Sequence, residues 1–178
     1  MGRLVTAQDR ILAAFYAFAL FGNVTVDVWM GFDVNLLDSG FAPDSLAAQY
    51  HHLVWQSGRD YDPLFLDNHG YMRASALGTA ILYFPYYVLA IRALLCGEGL
   101  GAQGSMLRGY AKVYGYGMLL NMSIVLVMEA TELVYKTALA PSLGMYWLPC
   151  GSYWLVPLLV LRRLWREEEE RSPKDHTE

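Results

Sequence analysis

The chain has 178 residues, 55% of them hydrophobic, and a formal net charge of −4. That length suits one compact domain of a few helices and leaves no room for a second. The charge is modest, no basic stripe is present and the aromatics lie in apolar runs, which excludes a nucleic-acid-binding surface.

The first apolar run, Ile11 to Phe32, has the length of a bilayer-spanning helix, about 20 residues or more. It carries one ionisable group, Asp27, together with Asn23. A carboxylate at membrane depth costs roughly 2.5–3.5 kcal/mol on insertion scales, so it is expected to face a cavity, a partner or a ligand rather than lipid. The run continues too far for a signal-peptide core and has no small-x-small site at its end, so it is read as a retained span. The opening Met1-Gly2-Arg3-Leu4-Val5-Thr6 fits a loose myristoylation pattern, read as chance because the spans already anchor the chain.

Residues 33–70 form an acidic connection, with Asp33, Asp38, Asp44, Asp60, Asp62 and Asp67 set against Arg59. The second span runs from about Tyr71 to Cys96 and contains Pro85. Its Ala74-xxx-Gly78 spacing permits close helix approach. The third runs from about Tyr110 to Tyr135. The fourth runs from about Met145 to Trp165, with Pro149 and Pro157, and residues 167–178 form a charged tail. Prolines are tolerable in such helices because neighbours satisfy the freed carbonyls. Length, not periodicity, decides for helix, because barrel strands need only about 9–11 residues.

Flanking charge sets the sidedness. Arg3 and Arg10 precede the first span, Arg92, Arg108 and Lys112 bracket the second connection, and Arg162, Arg163 and Arg166 close the fourth. Positive flanks favour the cytosolic side. The expected protein is therefore an all-α integral membrane protein, a four-transmembrane-helix bundle within residues 1–166. Both termini are expected to be cytosolic and residues 33–70 lumenal. Cys96 and Cys150 then lie on opposite sides, and no disulfide is expected. No Arg- and Ser-rich presequence is evident, which favours the endoplasmic reticulum, with the mitochondrial inner membrane as the alternative. The sequons at Asn23 and Asn121 lie inside predicted spans, out of reach of a glycosylating enzyme.

Asp62, in Tyr61-Asp62-Pro63-Leu64-Phe65-Leu66, sits in an apolar patch expected to tuck against the mouth of the bundle near Asp27. Two carboxylates in one apolar pocket cannot both ionise cheaply, so one keeps a proton and bonds the other. Such a pair can receive a cation or act as general acid and base. The competing reading makes Asp27 a pin at a helix end and Asp62 a turn residue before Pro63. Glu129 and Glu132 share a face of the third span, with Asn121 about two turns deeper. They form either a polar wall of the same cavity or, for Glu132, an interfacial group, with Glu129 paired to Lys136 or Arg59. Tyr83, Tyr87, Tyr114 and Trp154 lie deep enough to line an aromatic pocket for a lipophilic amine or a sterol, or simply to pack a core. His51, His52 and His69 lack the spacing of a metal site. Neither metal nor cofactor is expected.

Four stretches together resemble the EXPERA family, which includes the sigma-2 receptor and the emopamil-binding sterol isomerase. They are Phe15-Tyr16 through Thr25-Val26-Asp27; Asp62-Pro63-Leu64; Tyr83-Phe84-Pro85-Tyr86-Tyr87 leading to Cys96-Gly97; and Leu155-Val156-Pro157-Leu158-Leu159 running to Arg162. The sigma-2 branch is the more similar. The resemblance implies a four-helix membrane bundle in which Asp27 pairs with a ligand amine and Asp62 is its hydrogen-bonded neighbour. Thr79 stands where the sigma-2 branch has a glutamate, and the span Tyr71–Cys96 holds neither His nor Glu, the acid–base pair of the isomerase branch. The leading expectation is a non-catalytic protein that binds membrane lipid, sterol or lipophilic amine. The alternatives are an accessory subunit of a larger membrane complex, or an isomerase using Asp27, Asp62 and Glu129. A homodimer is left open.

Overall fold

The computed structural model describes residues 4–34, 40–61, 70–100, 106–136 and 143–169, and among these it is helical with no strand. Helix α1 (Ala7–Gly22) passes through a π-helical turn (Asn23–Asp27) into α2 (Val28–Gly31). Helix α3 (Leu46–Tyr61) follows. Helix α4 (Gly70–Gly78) then runs through a second π turn (Thr79–Tyr83) into α5 (Phe84–Leu95). Two long helices complete the chain, α6 (Met106–Lys136) and α7 (Leu143–Glu169).

Three stretches are long and apolar enough to cross a membrane: Ala7–Gly31, Gly70–Leu95 and Met106–Met128. They match the first three expected spans to within a few residues at most ends. The first helix starts earlier than the apolar run because Thr6 and Asp9 form a capping box. The Thr6 hydroxyl accepts from the Asp9 amide, and the Asp9 carboxylate accepts from the Thr6 amide, satisfying two donors that a helix start leaves open. The span ends at Asp33, which takes the left-handed conformation (φ 62°). The amide of Val34 bonds back to Trp29 and that of Asp33 to Met30, the paired bonds of a left-handed helix terminus. α5 ends in the same manner at Gly97 (φ 71°), with Glu98 bonding back to Ala93.

α1 packs along α5 and α2 along α4, so the first two spans run antiparallel over their whole length. α6 lies against α4 and α5, and α7 against α6. α7 also returns to α1, where Tyr153 meets Phe15 (ring centroids 5.9 Å apart) and Arg163 bonds Asp9 (2.9 Å). The core of this ring of helices is aromatic: Tyr16, Tyr83, Tyr86, Tyr87 and Tyr114 are all buried, with Leu94, Met118, Val160 and Leu164 around them. α6 and α7 approach closely at Gly115, where a Cβ would lie 2.6 Å from the side chain of Leu161.

The residues of the acidic connection include a helix that composition alone did not announce. α3 sets His51 and Gly58 on a buried face and Tyr50 and Val54 on its flank, with His52 and Leu53 exposed. Positions 51, 54 and 58 follow the helical repeat of one packed stripe. α3 docks on the first π turn, where Val26, Met30 and Ala76 form a second, smaller core closed by Trp29, Tyr50 and Val54.

Candidate functional site

The two π turns face each other in the first and second spans. A π turn interrupts the regular i→i−4 ladder, and such interruptions cluster at functional sites. Carbonyls beside the interruption need donors from elsewhere, because a buried carbonyl is rarely left without one. Here the side-chain amide of the buried Asn23 donates to the carbonyl of Thr79 (3.4 Å). The ring of the buried His51 bonds the carbonyl of Thr25 through Nε2. The Thr25 hydroxyl donates to Phe21 (2.7 Å) and the Thr79 hydroxyl to Ser75 (2.8 Å). Asn121 of α6 then donates to the Ser75 hydroxyl (2.8 Å). A polar belt thus joins all three spans at one level.

Asp27 is the last residue of the first π turn. Its side chain is half-buried, and it takes no part in the hydrogen bonds and ion pairs of the described residues. Tyr50 of α3 lies within electrostatic reach of it. Burial, and then the Asp27 carboxylate, push the Tyr50 phenol above its ordinary range. Asp27 is also within electrostatic reach of Tyr87. The hydroxyls of Tyr87 and Tyr114 come near enough to interact, yet neither has a partner in hydrogen-bonding geometry among the described residues. Both side chains are fully buried. A carboxylate and two buried hydroxyls with donor or acceptor capacity to spare therefore lie in one neighbourhood.

The predicted site residues fall into three groups. Asp27, Tyr87 and Tyr114 form the neighbourhood just described. Asn121 is committed to Ser75 in the polar belt. Tyr83 packs edge-on to Tyr114 (5.4 Å), with its hydroxyl against α6 where a Cβ on Gly117 would lie. Trp154 is half-buried on α7, one residue from the Tyr153 that meets Phe15. Asp62 and the side chain of Glu129 lie outside the described residues, so the expected Asp27–Asp62 pairing does as well. The tyrosines pack chiefly on one another: Tyr86 stacks on Tyr114 (4.6 Å) and Tyr16 on Tyr87 (5.6 Å), while the Tyr16 and Tyr86 hydroxyls bond (2.9 Å).

Sequence reasoning missed Tyr50, the role of His51, and the hydrogen bonds of Ser75 and Thr79. Ser75 and Thr79 sit four apart inside an apolar span, a spacing that places them on one face. Tyr50 and His51 were hidden because α3 was taken as a connection. Among the described residues no group of His, Cys, Asp and Glu could hold a metal ion. No family model, curated protein or solved structure matches this chain.

Proposed function

We propose that this protein is a non-catalytic, multi-pass membrane protein that binds a lipophilic amine or a sterol. In this reading the ligand's polar end sits at Asp27 and its apolar body lies among the aromatics. The observation that carries it is the Asp27 carboxylate itself. It is half-buried in a span, engaged by no hydrogen bond or ion pair of the described residues, and within electrostatic reach of Tyr50 and Tyr87. Intramembrane carboxylates are costly and are characteristically retained for a partner or ligand. An ammonium group satisfies such a carboxylate by a charge-assisted bond, and aromatic faces attract the same cation. The buried hydroxyls of Tyr87 and Tyr114 offer a second polar contact, suited to an amine or to a sterol hydroxyl.

The resemblance to the EXPERA family supports the same reading, with Asp62 as the carboxylate neighbour of Asp27, α7 as the fourth span and both termini cytosolic. The flanking positive charges support the cytosolic termini, and the host membrane in this reading is the endoplasmic reticulum. A sterol isomerase needs a proton donor and an acceptor on opposite faces of the double bond. The second span holds no His or Glu to supply them, which favours binding without turnover. The test is equilibrium binding of a radiolabelled cationic amphiphile to purified protein. Asp27→Asn is expected to weaken it at least tenfold while the helical content is kept. Equal affinity in the two proteins would remove Asp27 from the ligand contact and with it this function.

A further inference from the structure

The tyrosine core holds an ordered file of hydroxyls. Those of Tyr86 and Tyr16 bond to each other (2.9 Å). Tyr16 meets Tyr114 edge-on (ring centroids 5.7 Å apart), and Tyr114 meets Tyr87 in the same way (5.6 Å). The phenols of each pair are within electrostatic reach of one another, and Tyr87 is within reach of Asp27. At the other end Tyr86 is within reach of Arg163, which bonds Asp9 and Glu167. We propose that this file, completed by buried water at Tyr87 and Tyr114, joins Asp27 to the Asp9–Arg163 end of the bundle and conducts protons slowly across the membrane.

Tyr16, Tyr86, Tyr87 and Tyr114 are each 0% exposed, so their hydroxyls exchange protons only with neighbouring groups or with internal water. Those of Tyr87 and Tyr114 have no partner in hydrogen-bonding geometry among the described residues. Buried hydroxyls of this kind are characteristically met by an internal water, which needs two or more polar partners. Tyr87 and Tyr114 offer two, and Asp27 lies in reach of the first. The file has the length of a crossing: the helical rise from Asp9 to Asp27 is about 27 Å, close to the ~30 Å of the hydrocarbon core. Asp27 is half-buried one turn from the end of its span, and the Glu167 side chain is 23% exposed, so neither end is sealed. A core that only filled space would gain nothing from hydroxyls left without partners, because burying them costs free energy. Intramembrane chains of ionisable groups characteristically mark proton relays. The transfer balances without a co-reactant. Each hydroxyl accepts a proton as it releases the one it carried, a proton taken up at one carboxylate is matched by one released at the other, and the hydroxyls then turn back. Ligand binding is not required, although both activities use Asp27.

The experiment reconstitutes the full chain in phosphatidylcholine vesicles that enclose the pH dye pyranine. A potassium gradient with valinomycin sets a potential that drives protons inward, and no amphiphile is present, so the outcome is separate from ligand binding. Vesicles with protein are expected to acidify faster than vesicles without it. Tyr87→Phe and Tyr114→Phe each keep the ring and remove the hydroxyl. Each is expected to slow the protein-dependent rate about five- to tenfold, the rate equivalent of one lost hydrogen bond. Tyr110→Phe removes a hydroxyl from the same helix as Tyr114, outside the file, and is expected to leave the rate unaltered. Circular dichroism checks the fold of each variant, and two separate hydroxyls are probed so that one misfolded variant leaves the other to decide. A parent rate equal to that of protein-free vesicles would overturn the proposal. So would an unaltered rate in a folded Tyr87→Phe or Tyr114→Phe variant, an equal loss in Tyr110→Phe, or an equal leak of sodium ions through the parent.

Discussion

Asn23 reaches from the π turn of the first span to the main-chain carbonyl of Thr79 in the π turn of the second (3.4 Å). The two irregular turns are thus bonded to each other. Each frees backbone groups that a regular helix would satisfy alone, and between two spans those groups can be answered without water. The pairing also fixes the rotation of the first span about its own axis, which sets where Asp27 points.

Replacing Asn23 with Ala removes the donor and leaves the Thr79 carbonyl to find another. Bonds between membrane helices average about 0.6 kcal/mol and reach about 1.7. Asn23 is almost wholly buried, so a small void adds to that cost. The variant is expected to lose about 1–2 kcal/mol, read as a lower midpoint in detergent-induced unfolding. Asn121→Ala, which breaks the bond to Ser75 in the same belt, is expected to lose a comparable amount. An unchanged midpoint in both would show that the belt orients the spans without stabilising them.

Asp9 and Arg163 close the other end of the bundle. Asp9 is 0% exposed and takes bonds from Thr6 as well as from Arg163, which is 14% exposed at its side chain. Removing one member of a buried ion pair strands the other charge, at a cost of about 3–5 kcal/mol. Arg163→Gln is therefore expected to be strongly destabilising, with the Thr6 bonds holding the loss near the lower end of that range. Asp9→Asn combined with Arg163→Gln is expected to recover part of the loss, because the buried carboxylate no longer carries a charge and only the more exposed Glu167 loses its arginine. Thermal unfolding of the two single variants and the double one checks this. A double variant no better than Arg163→Gln would mean that the pair acts through packing of the arginine stem.

How far these features could be read beforehand depended on the kind of signal. The spans were legible because bilayer thickness demands long apolar runs: the first two recur within a few residues of their expected bounds, and the third recurs as Met106–Met128, shifted toward the N-terminus. The depth of Asn23 and Asp27 followed directly from their place in such a run. The π turns were not legible. Pro85 marked an interruption in the second span, but the turn itself occupies Thr79–Tyr83, and its partner in the first span has no proline to announce it. α3 was masked by the acidic residues around it, although the stripe through His51, Val54 and Gly58 follows a helical repeat. The aromatic residues were legible as deep and apolar. Whether each lines a space or fills one depends on contacts such as Tyr86 on Tyr114 (4.6 Å), which no spacing in one chain encodes.

Tyr50 links α3 to the Asp27 neighbourhood and makes that link sensitive to alkali. Burial and the nearby carboxylate raise its phenol above the ordinary value of 10.0. The folded protein therefore holds the Tyr50 proton more tightly than the unfolded chain does. That contribution is fully present below pH 10 and is lost as pH rises from there through the folded-state value. Stability is expected to decline with rising pH in this window, and the decline to be shallower in Tyr50→Phe. Asp27→Asn removes the second cause and is expected to flatten it partly. The check is the melting temperature in detergent from pH 8.5 to 11.5 for the three proteins. Parallel curves would place the alkaline sensitivity in the other tyrosines.

Asp27 sets function against stability, and the two can be measured in the same variant. In the ligand-free protein its carboxylate has given up part of its hydration and gained no hydrogen bond or ion pair from the described residues, so it is a cost to the fold. Residues kept for binding commonly oppose stability in this way. Asp27→Asn keeps the shape and removes the charge, so the ligand-free variant is expected to melt higher than the parent. A bound cationic amphiphile raises the parent's melting temperature by mass action. That increase is expected to vanish in Asp27→Asn and to survive in Asp27→Glu, which keeps the charge. If Asp27→Asn instead melts lower than the parent and still responds to the amphiphile, the carboxylate is a structural pin at the end of the first span, and the ligand contact lies elsewhere in the bundle.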